Sequence, residues 1–299
     1  MSGFLFLLAI NYIMKQTTKD QETGIRWKFT TKLEDLDFAD DIALLSSKFQ
    51  HIQMKTNKLQ ENASKIGLKV NTAKTKIMRM NTTNTNPVRL NDKDLEDVDS
   101  FTYLGGVVTS KGGCDNDIDN RLKKAKGQFS RLRKIWRSTS LSFKTKVRLF
   151  NSLVLSVLLY GCETWKATEQ DKKKLNTFQT RCLRQILKIR WPNTISNENL
   201  LLRAGTRKVS DNIMERRWRW LGHVLRMDTN RICSVALTWK PEGKRRVGRP
   251  KTTWRRTVEV ERASLGWNTW AAARTTAKDR AKWKECIRAL NADRHEEDR

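Results

Sequence analysis

Apolar and polar positions fall into local patterns that change character near residue 120. Residues 3–16 are apolar almost all round, which predicts a buried helix. Gly24–Thr31 reads as an edge strand. Leu33, Leu36 and Phe38 lead into the pair Asp40-Asp41, and Ile42, Leu44 and Leu45 lead out of it. Two short apolar runs joined at a polar pair predict a β-hairpin with carboxylates at its tip. A helix follows from about Lys48 to Lys65, with Ile52, Leu59, Ala63 and Ile66 at helical spacing and Gly67 as C-cap. Leu68–Met78 predicts a turn and a strand, Asn81–Pro87 a polar loop. Phe101–Val108 predicts a strand bent at Gly105-Gly106.

Beyond residue 120 the period becomes helical. Leu122, Ala125, Phe129, Leu132 and Trp136 make one stripe. Val147, Phe150, Val154, Val157 and Leu158 make a second, within Phe143–Trp165. Leu175, Phe178, Cys182, Ile186 and Ile189 make a third, stopped by Trp191-Pro192. Ser196 can cap a short helix closed by Gly205, and Asp211–Met227 reads as the next. The remainder, through Trp267, Trp270, Trp283 and Leu290, is helical with a charged end. The expected class is α+β: a short antiparallel sheet with helices, then a mostly α-helical region.

Charge sharpens the division. The 299 residues carry a net charge of +28. Residues 1–119 hold 16 basic and 16 acidic groups, so the remaining 44 basic and 16 acidic groups account for the whole excess. A neutral front and a basic back imply two functional parts and a polyanionic partner, nucleic acid before an anionic membrane surface. Five scattered cysteines without a C-x-x-C argue against a disulfide framework or zinc knuckle. The apolar runs Phe4–Ile10 and Leu153–Tyr160 are too short to span a bilayer. The expectation is an intracellular protein, nuclear or cytoplasmic, not secreted and not membrane-bound.

Adjacent carboxylates at a hairpin tip suit a hard divalent ion, which takes one or two protein carboxylates and otherwise water and phosphate oxygens. That is equipment for two-metal phosphoryl transfer. An isolated Asp-Asp pair is more commonly a solvated turn. The order of motifs changes that balance: Phe38-Ala-Asp-Asp41, then Gly67-Leu-Lys-Val-Asn71 with Lys74-Thr75, then Tyr103-Leu-Gly-Gly106. This series resembles three successive palm motifs of non-LTR (LINE-type) retrotransposon reverse transcriptases, and Met1–Leu8 resembles the helix after that family's Arg-Gln-Gly motif. The resemblance implies RNA-directed DNA synthesis with magnesium, an RNA template and a DNA primer or target. It implies metal ligation by Asp40 and Asp41, and Lys74 (with Lys76 as second candidate) beside the incoming triphosphate. Tyr103, Leu104 and Gly105 would help hold the primer end. It also implies that the chain begins partway through the palm. The family's first catalytic carboxylate strand, its Arg-Gln-Gly motif and its fingers are missing from this sequence, so parent activity is not expected of this chain alone.

The implied organisation is a truncated palm over 1–119, thumb-like helices over 120–165, and a basic Trp/Arg-rich extension over 166–299. Candidate phosphate contacts are Lys123, Lys124, Lys126, Arg131 and Lys134; then Arg217 and Arg219; then Lys244, Arg245, Arg246, Arg249 and Lys251; then Arg255 and Arg256. Trp218, Leu221 and Leu225 are read as core rather than as a base-stacking face. Lys244–Lys251 partly resembles an AT-hook, with Val247 as the departure; a nuclear localisation signal and a plain phosphate-binding loop are the other readings, and the last is favoured. A non-catalytic nucleic-acid-binding protein is the alternative function.

Overall fold

The computed structural model describes residues 2–19, 22–240 and 252–297. Residues 241–251, which include the AT-hook-like candidates Lys244, Arg245, Arg246, Arg249 and Lys251, lie outside the described residues. The chain divides into two compact units, Met1–Gly112 with Val235–Val247, and Gly113–Ser234 with Gly248–Arg299. The class is α+β. No helix among the described residues is long and apolar enough to cross a membrane.

In the first unit, α1 (Gly3–Thr17) precedes four short strands: β1 (Ile25–Arg26), β2 (Lys32–Leu33), β3 (Asp35–Phe38) and β4 (Asp41–Leu44). They pair as two antiparallel hairpins, β1 with β2 and β3 with β4. The expected edge strand over 24–31 is therefore one arm and the tip of a hairpin. Gly24 permits it: a Cβ there would lie 2.2 Å from the Leu33 carbonyl oxygen.

Helix α2 (Phe49–Lys65) ends in a Schellman turn. Gly67 has φ +77°, and the amides of Gly67 and Leu68 donate to the carbonyls of Ser64 and Ala63. This helix separates two small cores. Leu59 and Ala63 pack with Ile10, Ile13 and Met14, joined by Ile42, Leu44 and Leu68. Phe49 and Ile52 pack on Val88, Leu90 and Leu95. Those last residues belong to or flank β6 (Arg89–Leu90) and β7 (Lys93–Asp94), a hairpin, while β5 (Lys76–Ile77) runs parallel to β8 (Glu96–Asp97). The predicted strand over 101–108 is a hairpin, β9 (Ser100–Tyr103) with β10 (Gly106–Thr109). Leu104 and Gly105 both have positive φ, the signature of a type I′ turn.

One expectation fails in this unit. Helix α1 is not buried all round. Ile10, Ile13, Met14 and Thr17 are inside, whereas Phe4, Leu5, Leu7, Leu8 and Tyr12 are about half exposed or more. Its neighbour α2 covers one side, and a helix apolar on every face needs cover on several. Ile66 likewise sits past the end of α2 and is exposed.

The second unit is helical: α3 (Asp115–Arg131), α4 (Arg133–Arg137), α5 (Phe143–Leu149), a π-helical stretch (Phe150–Leu155), α6 (Ser156–Leu158), a 3₁₀ turn (Cys162–Thr164), α7 (Glu169–Ile186), α8 (Asn197–Ala204) and α9 (Val209–Arg226). Then α11 (Trp254–Ser264), α12 (Trp270–Lys278) and α13 (Arg280–Glu297) follow; α10 (Ile232–Thr238) begins in this unit and belongs to the first from Val235 on. Caps set several boundaries. Thr168 and Asp171 form a capping box for α7, Ser196 Oγ accepts from the Asn199 amide, and Gly205 closes α8 at φ +59°. The ranges expected for a thumb (120–165) and for the extension share one core, in which Phe129, Phe150 and Leu158 meet Leu175, Leu183 and Leu200.

Candidate catalytic hairpin and nucleic-acid surface

The register of β3–β4 sets where each carboxylate points. Asp35 lies opposite Leu44, Leu36 opposite Ala43, Asp37 opposite Ile42, and Phe38 opposite Asp41. Ala39 and Asp40 form the turn. Ala39 has φ +56°, a left-handed conformation that costs an L-residue with a Cβ roughly 1–2 kcal/mol. Strain of this kind concentrates at functional tips. Cross-strand partners share a face. Asp35 and Asp37 therefore lie on the face of Ile42 and Leu44, which pack on the α1–α2 core. Asp40 and Asp41 are exposed at the tip, as the apolar-polar-apolar pattern predicts.

Tyr103 comes to this hairpin from the distant third motif. Its hydroxyl donates to the Leu36 carbonyl oxygen at 2.8 Å. Burial raises the phenol pKa first, and the charges of Asp37, Asp41 and Asp35 raise it further. The structure thus ties Tyr103 to the strand that leads into Asp40-Asp41. Leu104 and Gly105 turn the strand that carries Tyr103. Lys74 is elsewhere in character: its backbone amide closes a turn onto Asn71, and its exposed ammonium is ion-paired with neither Asp40 nor Asp41. Lys76 is paired with Glu96.

Two features of the hairpin were not anticipated from the residues alone. Asp35 is half-buried, and its carboxyl is pushed up to about 7, chiefly by burial, then by the hydrogen bond and charge of Asp37. The period-2 spacing Asp35-x-Asp37 was the available signal.

The second feature is Lys55, 1% exposed inside α2. Its Nζ donates to the carbonyl oxygens of Glu34 (2.9 Å) and Leu45 (2.6 Å), the residues at the two feet of the hairpin, and pairs with Glu34 Oε2 at 2.5 Å. Glu34 also accepts from the Thr23 amide and hydroxyl and from the Gly24 amide. Burial alone would raise the Glu34 carboxyl; the bonds from Lys55, Thr23 and Gly24 outweigh it and hold the pKa below the usual value. A lysine three residues after Ile52 and four before Leu59, on the apolar stripe, was the hint.

The basic candidates separate clearly. Lys123, Lys124, Lys126, Arg131 and Lys134 are exposed on α3 and α4. Arg121, on the same helix, is buried between Asp117 (3.9 Å) and the Tyr160 ring (4.4 Å). Arg217 is corrected outright. It is 1% exposed, paired with Glu261, and donates to the Trp165 carbonyl at 2.7 Å, so it is part of the core and unavailable to phosphate. Arg219, on the opposite side of α9, is exposed and paired with Glu215. Arg255 is partly exposed and Arg256 exposed.

Several acids of this unit are committed within it. Asp117 accepts from Trp165 Nε1, Asp171 caps α7, Glu259 accepts from Trp270 Nε1, and Glu261 holds Arg217 and Trp218. Asp115, Asp119 and Glu169 are more than half exposed, each paired with a lysine, so the surface is basic by excess and not by the absence of acids. Trp218, Leu221 and Leu225 are core, as their spacing predicts. Trp218, Trp267 and Trp283 pack together, the last two stacked 4.5 Å apart.

Comparison with known proteins matches residues 1–108 to the family described as reverse transcriptase (RNA-dependent DNA polymerase). Residues 128–160 match a domain of unknown function (DUF6451). An uncharacterized transposon-derived protein of Caenorhabditis elegans is 27% identical over 267 residues, covering 86% of this chain and 95% of that protein. The chain is therefore reverse-transcriptase-like across the unit that carries the carboxylate hairpin, and similar along most of its length to a transposon-derived protein.

Proposed function

We propose that this chain is the C-terminal part of a LINE-type reverse transcriptase, comprising the end of the palm, the thumb and a basic extension. On this reading it binds an RNA template and a DNA primer or target but does not polymerise DNA alone. The observation that carries it is the hydrogen bond from the Tyr103 hydroxyl to the Leu36 carbonyl oxygen, which ties the third motif to the strand leading into Asp40-Asp41, in the order of that family's palm.

Asp40 and Asp41 offer the exposed oxygen donors that magnesium takes from protein. A two-metal clamp needs carboxylates from a further strand. Among the described residues no group of three or more His, Cys, Asp or Glu side chains is placed to hold a metal ion. The donor set therefore fits one ion's share and not the full clamp. Binding rests on the second unit, whose lysines on α3 are exposed and outnumber the exposed acids beside them.

Two experiments test this. Magnesium-dependent extension of a DNA primer on an RNA template is expected to be absent; extension abolished by Asp40→Ala would overturn the incompleteness. Fluorescence anisotropy with a labelled primer–template is expected to show binding that weakens steeply with salt. Converting Lys123, Lys124 and Lys126 together to Glu is expected to flatten the slope of log K against log salt by about one for each phosphate no longer neutralised. An unchanged slope would remove α3 from the interface.

A further inference from the structure

Two stretches of the second unit contain no acidic residue. Residues 120–162 hold 11 lysines and arginines, and residues 172–197 hold seven. Helix dipoles account for part of this, since acids suit a first turn and bases a last one, but the effect fades within a turn. Acids do open both helices, Asp115 and Asp117 on α3 and Glu169 and Asp171 on α7. The first stretch then runs without an acid through α4, α5 and the π-helical segment. Of its cations Arg121 and Lys146 are buried, and the others are exposed.

The fold lays the two stretches side by side in the same direction. At their starts Lys166 pairs with Asp115 at 2.8 Å, and Lys174 Nζ lies 3.4 Å from Asp119. Farther along, the charge of Lys126 reaches the Cys182 thiol. The steps from Asp119 to Lys126 and from Lys174 to Cys182 are nearly equal, so α3 and α7 run parallel, and α4 packs on α7 as well. Seven residues make about two turns, which sets Lys126 on the side of Asp119 and Arg181 on the side of Lys174. Charge changes along this helix pair. At the starts Lys166, Lys172 and Lys174 each meet an acid. Toward the ends Lys126, Arg133, Lys134, Arg181, Lys188 and Arg190 are exposed, and none is ion-paired among the described residues. The next acid along the chain, the exposed Glu198, opens α8, where its neighbour Asn197 accepts from Arg184.

The end of α7 gives an independent sign. Helices α2 and α8 close on Gly67 and Gly205 at positive φ. Helix α7 closes the same way on Lys188, at φ +56°, with the amides of Lys188 and Ile189 donating to the carbonyls of Gln185 and Arg184. A Cβ is costly in this conformation and glycine is free of that cost, so the lysine is kept there against the backbone's preference.

We propose that the C-terminal halves of α3 and α7, with α4 between them and solvent, form one phosphate-binding face for nucleic acid. Lys126, Arg133 and Lys134 flank it on one side and Arg181, Lys188 and Arg190 on the other. The assignment rests on the nucleic-acid reading above and deepens it: α7 joins the interface, and the neutralised starts of both helices are left out of it.

The experiment uses the full chain, a labelled RNA–DNA primer–template and two triple variants that remove the same total charge. Arg181, Lys188 and Arg190 changed together to Gln are expected to weaken binding about tenfold and to flatten the slope of log K against log salt by about two to three. Lys166, Lys172 and Lys174 changed together to Gln are expected to leave that slope unaltered. Equal effects of the two triples would mean that only net charge matters and would overturn the face. No effect of the first triple, with loss on the Lys123, Lys124 and Lys126 substitutions, would overturn it while leaving the α3 interface standing. Absence of oligonucleotide binding by the unaltered chain would overturn both, and binding to phosphatidylserine vesicles instead would assign the basic surface to a membrane. Lys188→Gly separates charge from folding: a higher thermal midpoint with binding about two- to threefold weaker is expected. Unchanged or tighter binding by that variant would refute the role of Lys188.

Discussion

Each compact unit encloses an ion pair, and the two pairs sit in very different surroundings. Lys55 and Glu34 are buried in a unit of short strands with two small apolar clusters, so one polar knot ties a loop, a helix and both feet of the carboxylate hairpin. Arg217 and Glu261 are buried where α9 and α11 meet, in a unit with an extensive helical core and a tryptophan cluster. Breaking a buried pair from one side costs about 3–5 kcal/mol in either place, because a charge is left uncompensated. What differs is how much other packing remains to carry the fold. A unit poor in apolar burial depends on its polar knot; a unit rich in it does not.

The largest expected effect follows directly. Lys55→Met should cost about 3–5 kcal/mol and release α2 and the β3–β4 hairpin together. Arg217→Met should cost a similar amount yet leave α3 and α7 protected. Hydrogen exchange read by mass spectrometry separates the cases, and loss of protection throughout the second unit in Arg217→Met would break the comparison.

Next comes Gly222 in α9. A Cβ there would lie 2.2 Å from Trp283 Nε1, which donates to the Trp218 carbonyl oxygen at 3.0 Å. Gly222→Ala should cost about 1–3 kcal/mol by overpacking and shift the near-ultraviolet dichroism of the tryptophans. An unaltered spectrum and midpoint would show that the indole has room to move.

The smallest effect is the pH dependence of Asp35. Its folded pKa, about 7, lies above the ordinary 3.8. A carboxyl raised in the folded state favours folding while protonated, and that contribution is lost as pH climbs from near 4 through 7. Asp35→Asn should therefore match the parent near pH 4 and exceed it near pH 8. The full shift would carry about 4 kcal/mol, which solvent screening at this partly exposed carboxyl reduces to on the order of 1 kcal/mol. A midpoint difference constant across that range would mean that burial and Asp37 do not raise the Asp35 carboxyl.

Much of the local structure was legible in the residues. The hairpin at Asp40-Asp41 follows from two apolar runs around a polar pair, and the bounds of α8 follow from Ser196 and Gly205. The core positions Trp218, Leu221 and Leu225 follow from helical spacing. Charged residues were less legible. Arg217 and Arg219 are two positions apart and look alike in sequence, yet one is in the core and the other in solvent. Which faces inward depends on Glu261, far along the chain.

The sequence by itself determined where chain segments turn, cap and present carboxylates, because those outcomes depend on neighbours a few residues apart. It also set the division between a neutral front and a basic back, since charge is additive. Only the tertiary structure decided which charges are surface and which are structural: Lys55 on Glu34, Arg121 on Asp117 and Tyr160, Arg217 on Glu261. The same holds for Tyr103 on the Leu36 carbonyl and for the open side of α1. Burial of a charge depends on a partner brought by the fold from elsewhere in the chain, and local pattern carries no record of that partner.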